Sequence, residues 1–371
     1  MSSIHAKHEG RMNFLRKALV FLLCLTMAYL PATALAVPGT PYAPGTMLRY
    51  LALTPPQQTL FDTLYAAALQ GAEEVALPEG TAYADAETAL NALLTDCPEL
   101  CALDRRYSVR YMQDTPETAV AATLYYAAPL SQQQALLTAA QALAAQAQGD
   151  SYARELFLYD ALCAACVYDP AAPHPSSAYG ALAEGRATCE GYARALVLLC
   201  RLAGIPCAMV TGEAWGSDGT ALHAWCVLNI GGEFVLSDPT WDDQDGLGFV
   251  THWYFNLSER QMGADHRADG GLTLPRCDEE TLTWHAKENR LVPREQAAAQ
   301  AVIDAALMDF ALSGRAVQLR FEAPEDAKAF AENLEVGFTH YNARHPDAAF
   351  SGAYSVSWSA AQGCVVIQQG E

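Results

Sequence analysis

The fold of this chain is decided by the stretch HAWCVLNIGGEFVLSDPTW, residues 223–241. Two apolar runs flank Gly231-Gly232, and a two-glycine spacer is typical of a tight turn between antiparallel strands. The simplest turn pairs Trp225 with Asp238, so His223 and Asp238 share one face as diagonal neighbours, roughly 7–8 Å apart at the backbone. A register slip of one residue would place them on opposite faces. The stretch therefore predicts a hairpin, opening at His223 and closing near Asp238, that presents an imidazole beside a carboxylate.

A cysteine lies at the start of a helix predicted upstream of this hairpin. Residues 189–203 place apolar side chains on one helical face. Thr188 can serve as the N-cap, and Gly204 and Pro206 close the other end. Cys189 then occupies the first turn, where the helix dipole and free N–H groups favour a thiolate and can stabilise an oxyanion.

A thiol, an imidazole and a carboxylate in this order are the parts of a nucleophilic acyl-transfer site. Cys189 is the candidate nucleophile, His223 the base and acid, and Asp238 the group that fixes the imidazole tautomer. Taken singly, a cysteine at a helix start is more often a packed residue, and a histidine on a strand is more often structural. The joint pattern of order, helix and hairpin favours catalysis.

Four aromatic residues are candidates for the walls of a substrate cleft around this site: Tyr179, Tyr192, Trp225 and Trp241. Core packing is the alternative interpretation of the tryptophans. His252 and His266 are expected to be structural or surface residues.

Several short motifs resemble those of bacterial transglutaminase-like (transglutaminase core) domains, which belong to the papain-like superfamily of cysteine enzymes. The matching pieces are Val167-Tyr-Asp169, Ser177-Ala-Tyr-Gly-Ala-Leu182, Cys189-Glu-Gly-Tyr-Ala193, Ala203-Gly-Ile-Pro206, His223-Ala-Trp225 and Asp238-Pro-Thr-Trp-Asp-Asp243. The resemblance implies an α+β core in which a helix carrying Cys189 packs on an antiparallel sheet carrying His223 and Asp238. It implies the same three roles for these residues. We expect no cofactor. Cys226 departs from many relatives, which have Asn after His-Ala-Trp.

The N-terminus has the features of a secretory signal peptide. Arg11, Arg16 and Lys17 precede a short apolar run, and Ala34-Leu-Ala36 fits a cleavage site. The run is short for a membrane span, although an uncleaved signal anchor remains an alternative. We therefore expect a protein that is secreted or held at the cell surface.

The predicted mature chain is strongly acidic. The net charge is −20, and removing the +3 of residues 1–36 leaves −23. Nucleic acid and anionic lipid are poor partners for such a chain. Secretion and the resemblance instead suggest protein or cell-wall peptide substrates; nothing in the sequence indicates an oligomeric state.

The eleven cysteines do not indicate a disulfide framework, because nine remain after the signal peptide and Cys189 are set aside. Cys97 with Cys101 and Cys163 with Cys166 have spacings that could hold zinc. Both pairs lie in apolar segments predicted to be helical, and no third cluster supports them. We expect buried thiols with at most one disulfide, and no metal.

The chain divides into a series of segments. We expect a signal peptide over 1–36, a linker over 37–50, an N-terminal α+β module over 51–130, a transglutaminase-like catalytic core over 131–290 and a C-terminal α+β module over 291–371. The two end modules echo each other, since Ala68-Leu-Gln-Gly71 and Ala311-Leu-Ser-Gly314 each precede a β run, a helix and a Tyr-Ser-Val motif. This pattern predicts two helix–β–α–β–β modules that position a substrate rather than catalyse, with chance similarity as the alternative.

Together these features predict a secreted, cysteine-dependent acyl-transfer enzyme that acts on peptide or side-chain amides through a thioester. Hydrolysis is the favoured reaction, because water is the default acceptor of the acyl group. The alternatives are a protein-crosslinking transglutaminase and a non-catalytic peptide-binding or scaffolding protein on the same fold.

Overall fold

The computed structural model describes residues 44–216, 219–244, 247–270 and 273–370. The predicted signal peptide lies outside these residues. The expected linker over 37–50 is wrong at its C-terminal end, because a helix (α1) spans Leu48–Ala52 and Met47 is fully buried in the N-terminal core. In the described parts of the chain, no helix has both the length and the apolar character needed to cross a bilayer.

The N-terminal module is a small antiparallel sheet covered by two helices. Its elements are α2 (Pro55–Leu69), β1 (Glu74–Ala76), α3 (Tyr83–Asp96), β2 (Leu103–Met112) and β3 (Thr115–Tyr126), with strand order β1-β3-β2. Apolar side chains from both helices and the sheet form a separate hydrophobic core, which includes Phe61, Leu64, Leu90, Leu93 and Leu124.

The central domain, predicted to be the catalytic core, has a central helix between two layers. Its first half contains α4 (Leu130–Ala144), α5 (Ser151–Ala165), β4 (Val167–Tyr168), a π-helical turn (Gly180–Glu184), β5 (Arg186–Ala187) and α6 (Cys189–Leu202). Its second half contains β6 (Cys207–Gly216), β7 (Gly219–Ile230), β8 (Glu233–Ser237), α7 (Pro239–Asp242), α8 (Glu259–Met262), β9 (His266–Ala268) and α9 (Trp284–Lys287).

Helix α6 is buried on nearly all sides, because it packs against α4 and α5 on one side and against β6 and β7 on the other. Such burial requires a helix that is apolar almost all round, as the run Ala195-Leu-Val-Leu-Leu199 is. The sheet is antiparallel with order β8-β7-β6-β9. The predicted α+β fold, with the helix of Cys189 packed on an antiparallel sheet, is confirmed.

The register of the β7–β8 hairpin is the one predicted from the two-glycine spacer. Ile230 pairs with Glu233 and Cys226 pairs with Ser237. Gly231 and Gly232 both have positive φ, of 66° and 109°, which suits glycine in the turn. The limits of the strands differ from the prediction, because pairing with β6 extends β7 back to Gly219.

The C-terminal module has the same plan as the N-terminal one, with additions. Its elements are β10 (Leu291–Val292), α10 (Gln296–Ser313), β11 (Val317–Phe321), α11 (Pro324–Glu332), α12 (Leu334–Arg344), a 3₁₀ turn (Pro346–Ala348), β12 (Tyr354–Ser359) and β13 (Cys364–Gln369). The strand order is β10-β11-β13-β12.

The structure confirms the predicted likeness of the two modules. Each runs helix–β–α–β–β, and in each the last strand lies between the other two and is antiparallel to both. The C-terminal module adds a parallel strand, β10, and its second helix is divided into α11 and α12.

Both modules are docked on the core through buried groups. At the N-terminal side, Asp96 and Glu99 face the buried guanidinium of Arg201, at 3.9 and 4.0 Å. At the C-terminal side, the outer face of β13 joins the far side of the sheet β8-β7-β6-β9 in one hydrophobic cluster, where Cys364 and Val366 pack with Val227.

Candidate active site

Cys189 is the first residue of α6 and lies half-buried in a cleft. Thr188 has the extended backbone of an N-cap, as predicted, but its hydroxyl donates to the carbonyl of Pro175 (3.1 Å) instead of accepting from the helix. That bond ties the preceding loop to the helix start. Because helical geometry leaves the first amides without intrahelical acceptors, N–H groups remain available beside the thiol.

The structure brings the imidazole and the carboxylate into direct contact. His223 Nε2 lies 2.7 Å from Asp238 Oδ2, and the other carboxylate oxygen accepts from the amide of Thr240 (2.9 Å). Asp238 was expected near the end of a strand that runs to Trp241, but the strand ends at Ser237 and Asp238 is the N-cap of α7. With Nε2 on Asp238, the Nδ1 atom of His223 is left for Cys189.

The electrostatics favour a charged imidazole. Burial opposes the charge, but Asp238, and after it Cys189, outweigh burial and raise the pKa of His223 to about 10. Burial likewise opposes ionisation of Asp238, yet the charges and hydrogen bonds of His223 and His266 hold the pKa of this carboxyl below its usual range. An imidazolium–carboxylate pair therefore lies behind the thiol.

His266 belongs to this site, although its expected place was structural or at the surface. It is buried, and its Nε2 lies 3.2 Å from the same Asp238 oxygen that contacts His223. No local sequence pattern indicates this, because His266 reaches the site through the pairing of the three-residue strand β9 with β6 across a long connection.

The tryptophans pack behind the two imidazoles. Trp225 is 1% exposed, and its ring lies 6.1 Å from that of His223 and 5.1 Å from that of His266. Trp241 lies 5.5 and 4.6 Å from the same two rings. These aromatic rings shield the imidazole pair from water.

The cleft in front of the thiol has a volume of 1170 Å³ and contains both Cys189 and His223. Its far wall comes from the N-terminal module, through residues that include Leu48, Leu53 and Leu94. Both modules were expected to position a substrate. Among the described residues, only the N-terminal of the two modules lines this cleft, so a positioning role for the two modules stays a prediction.

The four predicted cleft aromatics do not line this cleft. Tyr192 and Trp225 point into hydrophobic cores and are 0% and 1% exposed. Tyr179 and Trp241 pack against the same two cores. The prediction was wrong for these residues because it assumed that aromatics near a nucleophile face solvent, whereas these rings pack inward and the cleft is lined by aliphatic, polar and charged side chains, Arg49, Arg105 and Arg194 among them.

The cysteine pairs with zinc-like spacing contact hydrophobic cores. Cys97 belongs to the core of the N-terminal module, Cys163 and Cys166 belong to the core around α6, and Cys101 is partly buried against that second core. Among the described residues, the cysteines are free thiols. Within the same residues, the group with metal-like spacing is His223, Asp238 and His266, whose ligand atoms lie within 4.8 Å of one another. Here those atoms already satisfy each other by hydrogen bonding.

Comparison with known proteins agrees with this geometry. Residues 138–239 match the family model of the transglutaminase-like superfamily, a range that contains Cys189, His223 and Asp238. The chain therefore contains a transglutaminase-like core domain.

Among solved structures, one described as "a Putative Cysteine Protease from Cytophaga hutchinsonii" is similar to this chain at 17% identity, with a TM-score of 0.26. The match covers 36% of this chain and 61% of that one, so this chain spans less than two thirds of its length. A search of curated proteins gave no match.

Proposed function

We propose that this protein is a cysteine-dependent acyl-transfer enzyme that hydrolyses peptide or side-chain amides through a thioester on Cys189. The observation that carries the proposal is the placement of Cys189 and His223 in one cleft, with Asp238 2.7 Å behind the imidazole. The transglutaminase-like core supports the general class.

The geometry supports a two-step reaction. Cys189 Sγ attacks the amide carbonyl, and the resulting oxyanion is stabilised by amides at the start of α6. The C–N bond breaks as the His223 imidazolium gives its proton to the leaving amine. Neutral His223 then takes a proton from water, which attacks the thioester; the C–S bond breaks, releasing the carboxylic acid and restoring the Cys189 thiolate beside the His223 imidazolium. Asp238 holds the imidazole in place throughout.

The size of the cleft favours a polymer substrate. At 1170 Å³ it is larger than the about 300–1,000 Å³ typical of small-molecule pockets. The wall from the N-terminal module would contact the chain on one side of the scissile bond. From the predicted signal peptide, we propose that this protein is secreted or held at the cell surface. We propose that its substrates are proteins or cell-wall peptides.

The experiment must separate hydrolysis from crosslinking and from binding alone. The full chain is incubated with surface-protein extract in ¹⁸O-labelled water and a fluorescent primary amine, and the products are examined by mass spectrometry. Hydrolysis predicts ¹⁸O in new carboxyl groups, which Cys189→Ala abolishes. Amine incorporation that depends on Cys189 would instead show a transglutaminase. Binding without either product would show a scaffolding role and refute the enzyme proposal.

A further inference from the structure

One buried carboxylate in this protein, that of Asp238, is hydrogen-bonded to two imidazoles. Oδ2 of Asp238 lies 2.7 Å from His223 Nε2 and 3.2 Å from His266 Nε2. On the other side of its ring, His266 Nδ1 lies 2.6 Å from Oδ1 of Asp265. Imidazoles and carboxylates therefore alternate from the cleft inward through His223, Asp238, His266 and Asp265.

This row of alternating imidazoles and carboxylates, from His223 to Asp265, is bonded at its inner end to the C-terminal module. Asp265 is 2% exposed and accepts from the hydroxyl of Tyr254 at 2.8 Å. The side-chain amide of Gln362, which precedes β13, donates to both Asp265 oxygens at 3.1 and 3.0 Å. The amide oxygen of Gln362 in turn accepts from Arg320 at 3.3 Å. Each member of the row thus has a fixed partner on each side.

The backbone also fixes His266 beside the catalytic hairpin. Strand β9 pairs with β6 through Gly212 opposite Ala268 and Ala214 opposite His266. A Cβ atom at Gly212 would lie 2.1 Å from the carbonyl oxygen of Arg267, so only glycine permits this approach. The second imidazole is held by main-chain pairing as well as by its side-chain bonds.

We propose that His266 is a positioning residue for catalysis: it holds Asp238 ionised and aimed at His223, and Gln362 of the C-terminal module holds Asp265 and His266 in that arrangement. The inference rests on the proposed function of Cys189.

A buried carboxylate must have its charge compensated and its lone pairs occupied. The side chain of Asp238 is 0% exposed, so loss of His266 would leave one of its contacts empty without admitting water. Although burial opposes a charge on His266, hydrogen bonds and charges from Asp238 and Asp265 raise its pKa. The charges that alternate along the row then stabilise one another.

The test compares the alkylation rate of Cys189 by iodoacetamide at pH 6 in full-length variants. His266→Leu should react about tenfold more slowly than the wild type, which is the order of one hydrogen bond to a charged group. His266→Gln, whose amide can replace Nε2 as the donor to Asp238, should recover most of the rate. Gln362→Leu should slow the reaction less than His266→Leu.

The matched control is His252→Leu. His252 is also buried, and its Nε2 also lies 2.8 Å from a carboxylate, that of Asp160, but it does not touch the row from His223 to Asp265. It should lose comparable stability in urea melts and keep the alkylation rate within twofold.

The proposal is overturned if His266→Leu reacts at the wild-type rate, or if the His252 and His266 variants slow equally in step with their loss of stability. If His266→Leu does not fold, Asp265→Asn decides: a wild-type rate overturns the proposal and a severalfold decrease supports it. A wild-type Cys189 that reacts no faster than an ordinary thiol would instead refute the proposed function itself.

Discussion

Replacement of Asp238 by Asn removes the charge behind the imidazole of His223 with little change of shape. The carboxylate is fully buried, and the His223 side chain is 7% exposed. Two unit charges about 4 Å apart interact by about 4 kcal/mol at an effective dielectric constant of about 20. That free energy corresponds to about a thousandfold change in the ratio of the thiolate–imidazolium pair to the neutral thiol–imidazole pair.

The measurement is the rate of Cys189 alkylation by iodoacetamide, followed by peptide mass spectrometry. An ordinary thiol ionises near pH 8.5, so about one in thirty such thiols is already a thiolate at pH 7. The decrease in alkylation rate for Asp238→Asn is therefore limited to about thirtyfold at pH 7, whereas at pH 5 the full decrease of about a thousandfold can be measured. The loss for Asp238→Asn should therefore grow as the pH falls.

Asp242→Asn is the matched control. Asp242 is also buried, and it accepts from Tyr159 (2.7 Å) and Thr251 (2.9 Å) rather than from an imidazole. Burial raises its pKa to about 7, so this exchange removes less charge. We expect this variant to lose stability and keep Cys189 reactive. A folded Asp238→Asn protein that alkylates within twofold of the wild type at pH 5 would refute the assigned role.

Three further predictions follow from the same structure. Because the pKa of His223 is raised to about 10, the charged imidazole should contribute fully to folding stability below about pH 6.5 and lose this contribution as the pH rises to about 10. Urea melts of the wild type should show this decline in stability, and urea melts of His223→Gln should lack it. Arg201→Met should cost about 3–5 kcal/mol in the free energy of unfolding, because it removes the charge that faces buried Glu99, whereas Asp96 keeps its ion pair with Arg49. A double variant that also carries Glu99→Gln should recover much of this in urea melts. Gly212→Ala should displace β9, lower the free energy of unfolding by about 1–3 kcal/mol and slow the alkylation of Cys189. Gly216→Ala is the control, because a Cβ there meets nothing within 4 Å, and it should have none of these effects. An unchanged alkylation rate in a folded Gly212→Ala protein would contradict the role of β9.

The local parts of the site could be predicted from the sequence. The spacer Gly231-Gly232 sets the register of β7 and β8 by turn geometry alone, and this brings His223 to Asp238. The capping and periodicity of residues 189–203 likewise place Cys189 in the first turn of α6. Such features depend on neighbours in sequence, so their physics is visible in the sequence.

The rest depends on contacts between distant segments. His266 reaches Asp238 only because Gly212 lets β9 pair closely with β6. The wall contributed by Leu48 and Leu94 depends on docking of the N-terminal module against Arg201, which no local pattern indicates. The burial of the predicted cleft aromatics has the same origin, since the packing of layers decides which face of a strand or helix meets solvent.

The most direct test of an activated nucleophile compares Cys189 with itself. In the full chain at pH 6, the alkylation rate of Cys189 is measured once in the folded protein and once in urea, where every thiol is exposed and ordinary. Because Cys189 is half-buried, packing alone should make the folded thiol slower. Activation by His223 and the start of α6 predicts instead that the folded thiol reacts at least tenfold faster than the unfolded one. A folded Cys189 that reacts more slowly than the unfolded one would contradict its assignment as the nucleophile.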